Sequence, residues 1–183
     1  MTVGRIFAVV GPSGVGKDSL IAGAMAMAVR PDMVWARRVI TRPGAAGGEP
    51  FEGVTAAEFA RRKALGHFSL DWQAHGLSYG IPVSICDDLA AGRDVIFNGS
   101  RAALPDALAR FPGLIVVLIT ASPAILAQRL ADRGREARAD IARRLSRPDF
   151  ALPKGIAARV VNNSGSLEQG IGLFLQALQP VRT

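Results

Sequence analysis

Residues 11–19 read Gly-Pro-Ser-Gly-Val-Gly-Lys-Asp-Ser, and what flanks them leaves few folds open. The apolar run Arg5-Ile-Phe-Ala-Val-Val10 precedes the loop as a strand, and a helix over about 17–29 follows it. A strand feeding a glycine loop into a helix N-terminus is the framework of a phosphate-binding loop. Glycines let successive backbone N–H groups turn inward, and the helix dipole adds positive potential there. Gly11, Pro12, Ser13, Gly14, Val15 and Gly16 form that cradle, and Lys17 stands where its ammonium reaches β- and γ-phosphates. The next position ordinarily carries Ser or Thr, whose hydroxyl meets magnesium; here it is Asp18, with Ser19 following. A carboxylate beside a triphosphate is repelled unless a cation lies between them, so Asp18 is a candidate metal contact. Asp is also favoured in the first turn of any helix, which leaves a purely structural role open.

The rest of the chain alternates strand-like and helical runs. Strands are predicted near 5–10, 34–40, 94–98, 114–120 and 158–162, and helices at about 17–29, 100–110, 123–133, 138–147 and 166–178. Leu114 to Thr120 is apolar at consecutive positions, as a parallel strand covered on both faces should be. Ser122 before Pro123, and Ser166 with Glu168 in the next turn, signal helix starts. The pattern predicts an α/β fold, a mostly parallel five-stranded sheet with helices on both faces. One domain accommodates 183 residues with 49% hydrophobic content.

Residues 41–82 interrupt that rhythm. Thr41-Arg-Pro-Gly-Ala-Ala-Gly-Gly48 reads as a loop, and Thr55-Ala-Ala-Glu58 as a capping box opening a helix through Leu65. His67 to Gln73 and Leu77 to Tyr79 read as antiparallel strands joined near His75-Gly76, with a helix from Pro82 to Gly92. The expected division is a core of 1–40 and 83–183 within one domain of 1–183. An acceptor-binding insertion takes about 41–82, and an Arg-rich lid about 129–147.

Charge narrows the partners. Of 22 basic side chains only Lys17, Lys63 and Lys154 are lysines, and the net charge is +7. Arg129, Arg133, Arg135, Arg138, Arg143, Arg144 and Arg147 crowd one stretch, with Asp132, Glu136 and Asp140 among them. Aromatics make up 6% and no nucleic-acid module surrounds the cluster, so stacking on bases is poorly provided for. Small phosphorylated molecules suit arginine's bidentate fork better. No apolar run is long enough to span a membrane, and the N-terminal residues do not read as a signal peptide, which predicts a cytoplasmic protein. Cys86, the single cysteine, reads as a small buried hydrophobe.

In their order and spacing these segments resemble the guanylate kinase superfamily over almost the full length. The matches are Thr41-Arg42, Val54-Thr55 with Phe59, His67 through Trp72, and His75-Gly76-Leu-Ser-Tyr79-Gly80-Ile-Pro82. The departures are similar to the ribose 1,5-bisphosphate phosphokinases. The arginine that guanylate kinases place four residues after the motif threonine is Ala45, and the segment runs one residue longer before Glu49. Their acidic strand ending becomes Asn98-Gly99-Ser100-Arg101. The resemblance implies phosphoryl transfer from ATP, with Mg2+, to the 1-phosphate of ribose 1,5-bisphosphate. Guanylate or another nucleoside monophosphate kinase is the alternative, and a non-catalytic binding module a further one.

The resemblance also assigns roles. Lys17, Arg133 and Arg144 are the catalytic candidates, with Arg129 a third lid arginine on the donor side and Asn162-Asn163 a contact for adenine or a turn-former. Arg42 and Tyr79 are the acceptor contacts, Arg38 and Arg101 second clamps, and Arg135 fits the ribose bisphosphate kinase pattern alone. Asp18, Ser19 and Ser100 are the metal candidates. His67 and His75 read as structural. A phosphorylated sugar is the expected partner, without nucleic acid or membrane, and a homodimer is left open.

Overall fold

The computed structural model describes residues 3–27, 32–43, 50–132 and 152–179. Five strands form one parallel sheet: β1 (Ile6–Val10) at the centre, β2 (Met33–Trp35), β7 (Asp94–Asn98), β8 (Ile115–Thr120) and β9 (Arg159–Asn162), in the order β2-β7-β1-β8-β9. All five residues of β1 are buried, as are those of β7. Alternation along β1 sorts the core into two layers. Ile6, Ala8 and Val10 pack with Val95, Phe97 and Leu104 on one face; Phe7 and Val9 pack with Leu20, Ile119 and Phe174 on the other.

Helix α1 (Lys17–Ala26) follows β1, α3 (Ile85–Ala90) precedes β7, α4 (Leu104–Arg110) follows it after a 3-10 turn at Arg101–Ala103, α5 (Pro123–Asp132) follows β8, and α6 (Leu167–Ala177) follows β9. The caps follow the sequence. The Ser122 hydroxyl accepts from Ile125 N at 3.4 Å, and Ser166 accepts from Gln169 N while the Gln169 side chain accepts from Ser166 N. The capping-box partner of Ser166 is Gln169, and Glu168 lies in the first turn as expected.

A second sheet holds β3 (Arg38–Ile40), β4 (Phe51–Gly53), β5 (Phe68–Ala74) and β6 (Leu77–Pro82), ordered β4-β3-β6-β5. The strand expected over 34–40 is therefore two strands in two sheets. Val34 lies parallel to Val95 of the main sheet, whereas Val39 lies antiparallel to Gly80 of the second. Phe51–Gly53, for which the sequence predicts no element, pairs parallel with β3. Pro82 ends β6 instead of opening a helix, and α3 starts at Ile85 after Ser84. Helix α2 (Ala56–Ala64) takes its cap from Thr55, whose hydroxyl accepts from Glu58 N at 3.1 Å. Arg61 and Arg62 engage the Glu58 carboxylate that the expected box would send back to Thr55.

The two sheets share a core: Leu70, Trp72 and Ile81 belong to the same buried cluster as Ala8, Val10 and Phe97. The helix expected over 138–147 lies outside the described residues. Cys86 is half-buried instead of buried, with Arg110 Nη2 3.9 Å from its sulfur.

Candidate active site

The glycine loop is shaped by conformations that only glycine adopts cheaply. Gly14 and Gly16 lie at φ 86° and 93°, in the left-handed region. A Cβ at Gly14 would stand 2.9 Å from Leu130 Cδ2, and one at Gly16 2.6 Å from Asn163 Nδ2. Gly16 also caps α1 without a side-chain acceptor, so the first amides of the helix are left for something other than the protein's own side chains. Two donors pin the loop from behind. Asn163 Nδ2 reaches the Val15 carbonyl at 2.8 Å and Arg129 Nη1 reaches it at 3.2 Å. With that carbonyl turned outward, the neighbouring N–H groups can turn the other way. Lys17 Nζ crosses the mouth to the carbonyls of Gly11 and Pro12 at 2.8 and 3.1 Å.

A cavity of about 950 Å³ opens in front of the loop, bounded by the end of β7, by β3, β5 and β6, and by Leu152 to Lys154. Lys17, Arg38, Arg42, Arg101 and Lys154 line it, and Asp18 is the one carboxylate among the described lining residues. Aromatic faces hold two of the guanidiniums. Arg42 Cζ lies 4.2 Å from the Phe51 ring centroid, and Arg38 Cζ 5.6 Å from that of Tyr79. Tyr79 in turn stacks on Trp72, centroids 5.3 Å apart and planes 3° from parallel. The planar fork of arginine matches phosphate oxygens bidentately. Thr41 fixes where Arg42 leaves the sheet: its N donates to Ser78 O at 3.1 Å and its hydroxyl accepts from Ser78 N at 2.8 Å.

The structure thus gathers Gly11, Pro12, Ser13, Lys17, Asp18, Arg38, Arg42, Tyr79, Ser100 and Arg101 about one cavity. Ser19 is exposed and not among the lining residues. Arg129 is placed behind the loop. Asn162 is exposed at the end of β9, and its carboxamide oxygen accepts from Ser164 N at 3.0 Å, an Asx-type turn. Arg133, Arg135 and Arg144, like Ala45 and Glu49, lie outside the described residues. His75 adopts a positive φ of 52° beside Gly76 at 74°, as a tight hairpin demands, and also touches the cavity. Trp72 and Lys154 line it too, without a role in the sequence reading. Lys154 sits alone between Pro153 and Gly155, where no motif marks it.

Asp18 and Ser100 both line the cavity, and their oxygens are hard donors of the kind magnesium takes alongside phosphate oxygens and water. Among the described residues no group of three or more His, Cys, Asp or Glu gathers.

No family model matches the chain. Guanylate kinase from Anaplasma phagocytophilum superposes with a TM-score of 0.69 over 97% of this chain and 88% of its own, at 17% identity. A sugar kinase from Janibacter sp. HTCC2649 does so at 0.54, over 96% and 94%, at 16% identity. These likenesses are of fold: a guanylate kinase-like α/β architecture behind a phosphate-type loop. Sequence relatives narrow the class. Ribose 1,5-bisphosphate phosphokinase PhnN of Pseudomonas fluorescens is 47% identical over 180 residues, 96% of this chain and 95% of that protein. PhnN of Agrobacterium fabrum is 47% identical over 172 residues, 93% and 94%. A bifunctional ribose 1,5-bisphosphokinase-thymidine phosphorylase of Cupriavidus necator is 49% identical over 176 residues, and this chain spans 29% of its length. The chain belongs to the ribose 1,5-bisphosphate phosphokinase family.

Proposed function

We propose that the chain transfers the γ-phosphoryl group of ATP to the 1-phosphate of ribose 1,5-bisphosphate, yielding 5-phosphoribosyl 1-diphosphate and ADP. The observation that carries the reading is one cavity in which a phosphate loop faces Arg38, Arg42, Tyr79 and Arg101 across open space. An oxygen of the acceptor phosphate attacks the γ-phosphorus, and the bond to the bridging β,γ-oxygen breaks, leaving its electron pair on ADP. The acceptor is already largely anionic, so little proton abstraction is required. The obstacle is bringing two polyanions together, and positioning with charge neutralisation overcomes it.

Lys17 and the amides of Gly14, Val15 and Gly16 hold the donor. Arg42 and Tyr79 hold one end of the sugar, with Arg38 and Arg101 on its other charges. Arg133 and Arg144 close on the transferring group as parts of a lid over about 129–147, and Arg135 follows them. The second sheet forms the acceptor-binding part of a single domain. Asp18 and Ser100 would hold Mg2+, which when bound screens the phosphate charges. A place in the cytoplasm, in the supply of the same diphosphate during phosphonate use, follows from the same reading.

Phosphorus NMR on purified protein with ATP, magnesium and a panel of phosphorylated acceptors tests the proposal. New diphosphate signals with ribose 1,5-bisphosphate and none with GMP are expected. Turnover with GMP alone overturns it.

A further inference from the structure

Two departures from the common phosphate-loop pattern lie 80 residues apart in sequence and touch in space. The position after the loop lysine holds Asp18 in place of a hydroxyl, and the strand that ordinarily ends in a carboxylate ends in Asn98. Asn98 Nδ2 donates to Asp18 Oδ1 at 3.0 Å. In the usual arrangement the hydroxyl on the helix and the carboxylate on the strand together face the metal and the phosphates. Here the carboxylate stands on the helix and the strand supplies a neutral amide.

We infer that Asp18 and Asn98 form a single exchanged unit, in which Asn98 is the positioning residue that aims the relocated carboxylate at the cation that accompanies the donor phosphates. The chemistry of the pair supports this. An ionised carboxylate only accepts hydrogen bonds, so its partner must be a donor, and the carboxamide is the neutral group of aspartate's shape that donates. Asn98 is 4% exposed and sits at the end of β7, beside Val9 on the central strand, so its side chain is held by the sheet. Asp18 in the first turn of α1 is the more exposed member and lines the cavity. Asn98 borders the same cavity but is buried and held by the sheet, and as a donor it fixes one oxygen of the more exposed Asp18 and leaves the other for ligands.

The unit predicts strong coupling between the two positions. Asn98→Asp puts two carboxylates at hydrogen-bonding distance. In EDTA at about pH 8, without nucleotide, it should lower the melting temperature by at least about 4 °C, and magnesium alone should recover part of that loss. The double variant Asp18→Ser/Asn98→Asp restores the common order of hydroxyl and carboxylate, and should melt within about 2 °C of the wild type. A double variant whose shift equals the sum of the two single shifts overturns the inference, as does an Asn98→Asp protein that melts like the wild type.

If Asn98→Asp does not fold, Asn98→Ala decides through calorimetry. Binding of magnesium-loaded ADP should weaken about tenfold, while binding of metal-free ADP changes less than about twofold. Equal losses for both forms mean that Asn98 only supports the fold, and overturn the inference. The calorimetric arm rests on the kinase reading, whereas the melting arms contain neither nucleotide nor acceptor. A negative acceptor screen therefore leaves the melting result standing, and an additive melting result leaves the acceptor screen standing.

Discussion

Lys17 bonds to two carbonyls of its own loop, those of Gly11 and Pro12, so it braces the loop as well as offering charge to phosphates. Lys17→Ala should reduce turnover at least about 10²–10³-fold, the scale of losing one preorganised donor to developing charge. Its melting temperature should stay within a few degrees of wild type. A rate unchanged in single-turnover experiments would remove Lys17 from the mechanism. Asn163 is the quieter residue. It is 3% exposed, reaches nothing in the cavity, and yet holds the Val15 carbonyl whose orientation sets the neighbouring amides. Asn163→Leu removes that donor and leaves the carbonyl to Arg129 alone, at a cost of about 1–3 kcal/mol. The expected result is a raised KM for ATP with the KM for the acceptor unchanged, read from initial rates in both substrates. Parallel rises in both would point to general loosening instead.

Among the elements, those whose signals are local were legible in sequence. The phosphate loop needs only neighbours to be recognised, and the caps at Thr55 and Ser166 lie within three residues of their partners. The split between β2 and β3 was not legible, because Met33 to Ile40 carries no glycine or proline to mark the break at Ala36-Arg37. A strand-forming run does not state which sheet takes it, and only the pairings with Val95 and Gly80 decide. The Asp18–Asn98 contact was hidden for the same reason, since both oddities are visible singly but their meeting belongs to the β1–β7 register.

Helix α2 gives a prediction at this scale. Hydrogen bonds from Arg61 first and Arg62 second hold the Glu58 carboxyl down at about 2, against an ordinary 4.5. A carboxyl lowered in the folded state stabilises fully above its unfolded value and loses that contribution as pH falls through the folded one. The difference in melting temperature between wild type and Glu58→Gln should therefore be present above about pH 4.5 and gone by about pH 2. The three ions face water, so the difference is small and shrinks with added salt. A difference that persists at the acid end would assign the effect to the helix cap rather than to the ion pairs.

For the molecule as a whole, the two sheets share one buried cluster, which predicts that they unfold together. Its two tryptophans report on the two sheets separately, Trp35 in β2 of the parallel sheet and Trp72 in β5 of the other. Ile81→Ala empties a fully buried place beneath the second sheet and should cost about 2–5 kcal/mol. In urea, single-tryptophan variants and far-UV circular dichroism should trace coincident transitions, each moved by Ile81→Ala to the same extent. Separate midpoints for Trp35 and Trp72 would show that the sheets melt independently. The basic lining of the cavity acts at this scale too. Cationic walls draw in every polyphosphate in reach, so attraction cannot tell a nucleotide from a sugar phosphate, and any discrimination between them must come from the shape of the cavity.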